Sequence, residues 1–138
     1  MKLIHHSALL SNLLKQGKLK IKKEEKLITY HDACYLGTHN DIFNDPRDVV
    51  KNVSNYKELI RNKSNSFSCG AGGGMYFKED KNIKKINHER LEEVLKINAK
   101  IVSTSCPYYL MMFEDAINSK GLKNQIIAKD IVEFIQLD

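Results

Sequence analysis

With 138 residues, 42% of them apolar and 28% charged, the chain is the size of one domain and holds enough apolar material for a core without disulfide support. Its formal charge of +5 is mildly basic, and much of that excess lies in KQGKLKIKKEEK at 15–26, a run with two glutamates and no aromatic stacking platform, which argues against a nucleic-acid surface. The three cysteines cannot all pair within one chain, the apolar stretch of MKLIHHSALLSNLLKQG is too short for a signal peptide, and no uncharged run approaches a membrane span, so a reducing cytoplasm is expected, with any membrane association made through partners.

The first predicted element is an amphipathic helix from Ser7 to Gln16, with Leu9, Leu10, Leu13 and Leu14 on one face, His5 and His6 at its entry and Gly17 as its stop. The lysine-rich stretch follows as a solvated linker, so residues 1–25 read as a leading helix and basic linker within a single domain spanning 1–138. LITY at 27–30 reads as a short buried strand that ends in the polar loop HDACYLGTHND. Asp45 followed by Pro46 is a helix-start pair, because proline at the first helical position costs no hydrogen bond and aspartate can cap free N–H groups. A second strand is expected at Tyr56–Ile60, then a glycine-rich turn, then a helix through INHERLEEVLKIN with Leu91, Val94 and Leu95 on its inner face. KIVSTS at 100–105 is a third strand, Pro107 opens a helix to about Asn118 with Gly121 as its stop, and a last strand at Gln125–Ala128 leads into an Asp130-capped helix, IVEFIQL. Strands alternating with helices predict an α/β domain with a mainly parallel sheet and flanking helices.

The chemistry-bearing residues are Cys34, Cys69 and Cys106, each placed where a strand-like run breaks into a turn. Cys106 falls at the expected N-cap of a helix, where free N–H groups and the positive dipole end favour a thiolate. Cys69 precedes Gly70, Gly72, Gly73 and Gly74, a nest whose successive N–H groups can bind an anion or the sulfurs of a cluster. Cys34 ends the HDAC turn, which puts it on the carboxyl edge of the sheet, where α/β proteins gather ligands. A lone cysteine is most often a small buried hydrophobe; three of them beside such turns are better read as converging. His31, His39 and Asp32 are nearby candidates for a further ligand, with neutral imidazole well suited to zinc. Met75, Met111 and Met112 read as shielding or core filling. Glu114 and Asp115 are neighbours on one helix and so cannot face each other as a catalytic pair. No dinucleotide fingerprint or phosphate-loop lysine is present, since GAGGG lacks the required spacing.

Taken together, TYHDACYLGTHNDIFNDPRDVV, FSCGAGGGMYF and INHERLEEVLKINAKIVSTSCPYYLMMFEDAI resemble the three segments of the cysteine-rich CCG domain found in the B-type subunit of heterodisulfide reductase and in related iron-sulfur oxidoreductases. IHHSALLSNLLKQGKLK is similar to the helix leading into that domain, so the likeness covers nearly the whole chain. The family pattern is a first cysteine, a Cys-Cys-Gly and a final Cys-x-x-Cys; here Cys34 lies 35 positions before Cys69, and Cys69 lies 37 before Cys106. Ser68 stands in place of the first cysteine of Cys-Cys-Gly, and Tyr109 in place of the second of Cys-x-x-Cys.

The resemblance implies an iron-sulfur electron-transfer domain or subunit in which Cys34, Cys69 and Cys106 hold a 3Fe-4S or 4Fe-4S cluster. It also implies partners: a second CCG domain, a ferredoxin-like module or a flavoprotein electron donor, or a second copy of the chain. The two missing thiols keep a second reading open, a degenerate copy that binds zinc, with His31 as a candidate fourth ligand, or no metal, and serves as a structural or docking subunit. Tyr109 is expected to plug the space of the missing ligand. A weaker third reading is thiol redox chemistry between Cys106 and Cys69.

Overall fold

The computed structural model describes residues 3–77 and 85–136. Its elements in chain order are α1 (His6–Lys15), β1 (Ile28–Tyr30), α2 (Asn44–Val53), α3 (Ile86–Lys96), β2 (Ile101–Thr104), α4 (Pro107–Ser119) and β3 (Ile127–Asp130), with short 3-10 turns at Lys63–Asn65, Gly72–Phe77 and Ile131–Phe134. The strands form one parallel sheet in the order β1-β2-β3, with Ile28 opposite Ile101 and Ile101 opposite Ile127. This is the α/β architecture that the alternating pattern predicts.

Helices cover both faces of the sheet, because alternate residues of β2 point in opposite directions. Ile101 packs with Ile28, Tyr30, Val49, Val50, Val53, Leu10 and Phe134 on the α1 and α2 side. Val102 packs with Leu91, Val94, Phe113, Ala116 and Ile117 on the α3 and α4 side. Each buried aliphatic side chain removed from water contributes roughly 1.5–3 kcal/mol, so these two clusters carry the fold.

Several local differences from the expected elements have clear causes. His5 does cap α1, its Nδ1 accepting from the Ser7 N–H, but the buried face is Ser7, Leu10 and Ser11, and Leu9 is 49% exposed. The reason is α2, against which Ser11 donates a hydrogen bond to Asp48 at 3.0 Å. Asp45 is not the cap of α2; the helix starts two residues earlier, with Phe43 at the N-cap and Pro46 inside the first turn. The strand expected at Tyr56–Ile60 shrinks to a single parallel bridge between Tyr56 and Ile28. Past that bridge, Glu58 turns to Arg47 and Leu59 turns into the α3/α4 cluster, which removes the alternation a strand requires.

The basic stretch is partly structural: Leu19 and Ile21 pack on the core, and Ile21 bridges Ile135 in antiparallel fashion. That pairing keeps the chain after Phe134 extended, so the expected terminal helix is a four-residue 3-10 turn, Ile131–Phe134. Its capping box is present, with Asp130 accepting from Val132 N–H and Glu133 accepting from Asp130 N–H. Leu137, the last residue of the expected helix, lies outside the described residues.

Candidate functional site

The parallel sheet delivers two of the three cysteines to the same edge. Cys34 follows β1 by four residues and Cys106 follows β2 by two, so both leave the carboxyl ends of adjacent strands. Cys106 takes extended backbone angles at the N-cap of α4, with Pro107 at the first helical position, and its side chain is not spent on capping. Cys69 arrives from the loop between α2 and α3 and is buried, whereas Cys34 and Cys106 are half-buried. All three are free thiols. They meet in one cluster with Ala33, Leu36, Tyr109 and Met112.

Mutual electrostatics give the same picture of convergence. Burial pushes the Cys69 thiol up, the Ala71 N–H bond at 3.4 Å opposes this, and the neighbouring Cys106 and Cys34 add to the rise. Burial likewise raises Tyr109 far above an ordinary phenol, helped by all three cysteines around it. Tyr109 is 3% exposed and packs among the three cysteines. Ser68 is exposed, and its Oγ accepts from the Gly70 N–H at 3.1 Å, so it braces the turn instead of joining the thiols.

Gly70 has φ +83, and a Cβ there would lie 3.0 Å from the Ile86 Cβ. Only glycine meets both conditions without strain. Gly72, Gly73 and Gly74 form an exposed turn, the latter two also with positive φ, and added methyl groups there would touch nothing within 4 Å. The turn therefore stands open to an approaching group.

Behind the cysteines lies a buried polar layer. His31 is fully buried and stacks on Tyr109 at 4.0 Å between ring centres, with Phe113 edge-on at 5.3 Å. Its Nδ1 accepts from Arg90 Nε at 2.8 Å, which leaves the ring proton on Nε2, and Nε2 has no partner among the described residues. Burial, then the Arg90 charge, hold His31 well below its ordinary value, so it is neutral. His31 therefore spends one nitrogen inside the fold and keeps the other. His39 is exposed and stacks on Tyr35, and Asp32 is taken up wholly by the protein. Arg47 donates to both Asp32 oxygens at 2.6 and 2.9 Å and to Glu58, while Lys63 N–H donates to Asp32 at 2.7 Å. Burial lowers the Arg47 value, but these two carboxylates outweigh it and the net direction is up.

Asn87, Arg47 and Arg90 are the site residues that sequence reasoning missed. The signal for the α3 pair was present: Asn87, Arg90, Leu91 and Val94 follow the i, i+3, i+4, i+7 spacing of a buried helical stripe. Polar residues on such a stripe mark a buried polar function. Met112 is buried with Cys69, while Met111 and Met75 are 38% and 49% exposed. Glu114 and Asp115 lie on the exposed side of α4, as expected.

Among the described residues no group of three or more His, Cys, Asp or Glu side chains is arranged to hold a single metal ion, and no helix is long and apolar enough to cross a membrane. The chemistry on offer is instead three soft thiols in one cluster, with Cys69 on the wall of a small cavity that the buried Arg90 also lines.

A family model described as a cysteine-rich domain, CCG, matches residues 28–114, the stretch that contains all three cysteines. The chain is 35% identical over 95% of its length to the probable iron-sulfur-binding oxidoreductase FadF of Bacillus subtilis, covering 19% of that protein. It is 32% identical over 95% of its length to the EtfAB:quinone oxidoreductase of Syntrophomonas wolfei, covering 20% of it. It is also 35% identical over 96% of its length to the D-type subunit of the dihydromethanophenazine:CoB--CoM heterodisulfide reductase of Methanosarcina barkeri, covering 32% of it. The chain thus spans about a fifth to a third of the length of these relatives. No solved structure matches it.

Proposed function

The chain belongs to the cysteine-rich CCG domain family, and from that premise we propose that it is an iron-sulfur electron-transfer domain working within a heterodisulfide-reductase-like oxidoreductase. The observation that carries this reading is the meeting of Cys34, Cys69 and Cys106 around Tyr109 at the carboxyl edge of the sheet. Three thiols suit three irons of a 3Fe-4S cluster, or of a 4Fe-4S cluster with one iron bound otherwise. When bound, such a cluster supplies one-electron chemistry at a potential set by charge, hydrogen bonds and exposure.

The surroundings fit that group better than a single zinc ion. Zinc needs four donors within about 2.0–2.3 Å of one point, and no such gathering exists among the described residues. A cluster spreads its irons and tolerates wider thiols. Cys34, Cys69 and Cys106 would hold it, with Gly70, Gly72, Gly73 and Gly74 presenting backbone N–H groups from the open turn. His31, with Nδ1 held by Arg90, supports the ring layer behind Tyr109 and keeps Nε2–H as a candidate hydrogen-bond donor; to act as a metal ligand that nitrogen would first have to give up its proton.

The segments that carry the cysteines also expose apolar side chains: Tyr35 at 78%, Phe77 at 86% and Tyr108 at 62%. Such a rim supports docking to another protein of the assembly, and relatives named for EtfAB and for a heterodisulfide reductase make a flavoprotein donor, a ferredoxin-like module or a second CCG domain the partners to seek. Catalysis in this reading belongs to the assembly, in the reducing cytoplasm.

One observation favours the alternative, a copy without metal that serves in docking: Tyr109 is buried among the three cysteines. Iron, zinc and acid-labile sulfide measured on protein purified without oxygen or chelator separate the two readings. Iron with matching sulfide is expected; zinc or an absence of metal would leave the docking reading.

A further inference from the structure

Arg90 is the most deeply placed charge behind the cysteines, 1% exposed, and it lines a small cavity together with Cys69, Asn87, Tyr109, Met112 and Phe113. Two arms of its guanidinium are committed: Nε donates to His31 and Nη1 is paired with Glu93. The third, Nη2, is buried without a hydrogen-bond partner among the described residues. A guanidinium cannot discharge itself by losing a proton in a protein, so both its charge and its spare donors need an acceptor.

The wiring behind Arg90 directs its charge inward. Arg61 is bound to Glu93 and to Glu89, with Glu89 41% exposed and Arg61 33% exposed. The row Glu89, Arg61, Glu93, Arg90 therefore alternates in sign from surface to interior, and its innermost member is the cation beside Cys69. Glu93 is shared by two arginines and so neutralises Arg90 only in part. On the other side stands neutral His31, which accepts from Arg90 without cancelling its charge.

We propose that Arg90 is a tuning residue for the bound cluster, its buried charge and free Nη2 favouring the state that carries one more electron. This rests on the iron-sulfur reading above. Adding one electron adds one negative charge with no bond made or broken, and a fixed buried cation with spare donors stabilises that charge more than it stabilises the oxidised state.

The test is a reductive titration of the anaerobically purified protein, with dithionite as the one-electron source, mediators to set the potential, and visible absorbance and electron paramagnetic resonance as readouts. Arg90→Gln is expected to make reduction less favourable by about tenfold, about 59 mV for a one-electron couple. Arg90→Lys should recover part of that shift, because it restores the charge without the fork. Glu93→Gln should move the potential the other way, since it unmasks Arg90. Opposite signs for Arg90→Gln and Glu93→Gln are what a merely structural role would not produce.

Potentials equal to wild type at equal iron content would overturn the inference while leaving the cluster in place. Should Arg90→Gln fail to fold, Arg90→Lys and Glu93→Gln decide alone, and shifts of the same sign, or none, in those two would sink it. Wild-type protein without iron and sulfide would remove the iron-sulfur reading itself and this inference with it, an outcome distinguishable by metal content.

Discussion

The middle of the sheet and its carboxyl edge are buried to a similar degree, yet they are made of different materials. Ile28, Ile101 and Val102 sit among aliphatic and aromatic neighbours from α1, α2, α3 and α4. Just beyond them the buried residues are His31, Asp32, Arg47, Arg90, Ser103, Thr104 and Ser105. In the first region apolar contacts predominate, although Thr29 Oγ1 is buried there without a partner among the described residues. In the second, Thr104 Oγ1, Ser103 Oγ, His31 Nε2 and Arg90 Nη2 are buried with no partner among the described residues, and each such group costs about 1–3 kcal/mol. A fold tolerates that cost where the polar groups serve something other than stability, so the contrast locates the working end.

Substitutions can break this contrast or make it sharper. The largest effect is expected from Cys69→Ala, which should abolish bound iron and any visible absorbance while the thermal transition of the metal-free protein stays close to that of wild-type apoprotein; unchanged absorbance would remove Cys69 from the site. Next comes Arg47→Met, which strands Asp32 at the polar edge: a loss of about 3–5 kcal/mol is expected, read from the urea midpoint, and a near-neutral result would mean that Asp32 rearranges to water. Leu91→Ala on the aliphatic side should cost about 2–5 kcal/mol without changing metal content per folded chain; iron lost in step with it would erase the distinction between the regions.

Gly70→Ala should cost about 1–2 kcal/mol for the left-handed backbone, with a further penalty from the Ile86 Cβ at 3.0 Å. The smallest effect belongs to Tyr109→Phe, which keeps the ring and removes a buried hydroxyl beside the cysteines, at about 0.5–1.5 kcal/mol read from the urea midpoint.

The aliphatic region was the more legible one in the sequence. LITY and KIVSTS are short apolar runs, INHERLEEVLK has helical spacing, and Pro107 announces α4, so β1, β2, α3 and α4 fall within a few residues of expectation. The misreadings come from tertiary pairing that periodicity does not encode. Tyr56–Ile60 has the composition of a strand, but the Glu58 contact to Arg47 turns it aside. IVEFIQL has the cap of a helix, but the bridge from Ile135 to Ile21 pulls it straight. At the site, the meeting of the three cysteines was legible because rare residues beside glycine and proline turns stand out. Arg47 and Arg90 were not, because a charged residue on a helix is ordinarily read as solvated, and only the burial of its neighbours reveals otherwise.

The spacing of the three thiols has a kinetic consequence. Gaps of 35 and 37 residues leave the unfolded chain with no local chelate, so the donors come within reach of one another only after strands far apart in sequence have paired. Under the proposed iron-sulfur reading, loading would therefore follow collapse, a folding route of high contact order. With a cluster held by all three thiols the same gaps would work in reverse: opening any one of the three segments would then break an iron–sulfur bond, tying the slowest part of the chain to assemble to the last part able to come apart.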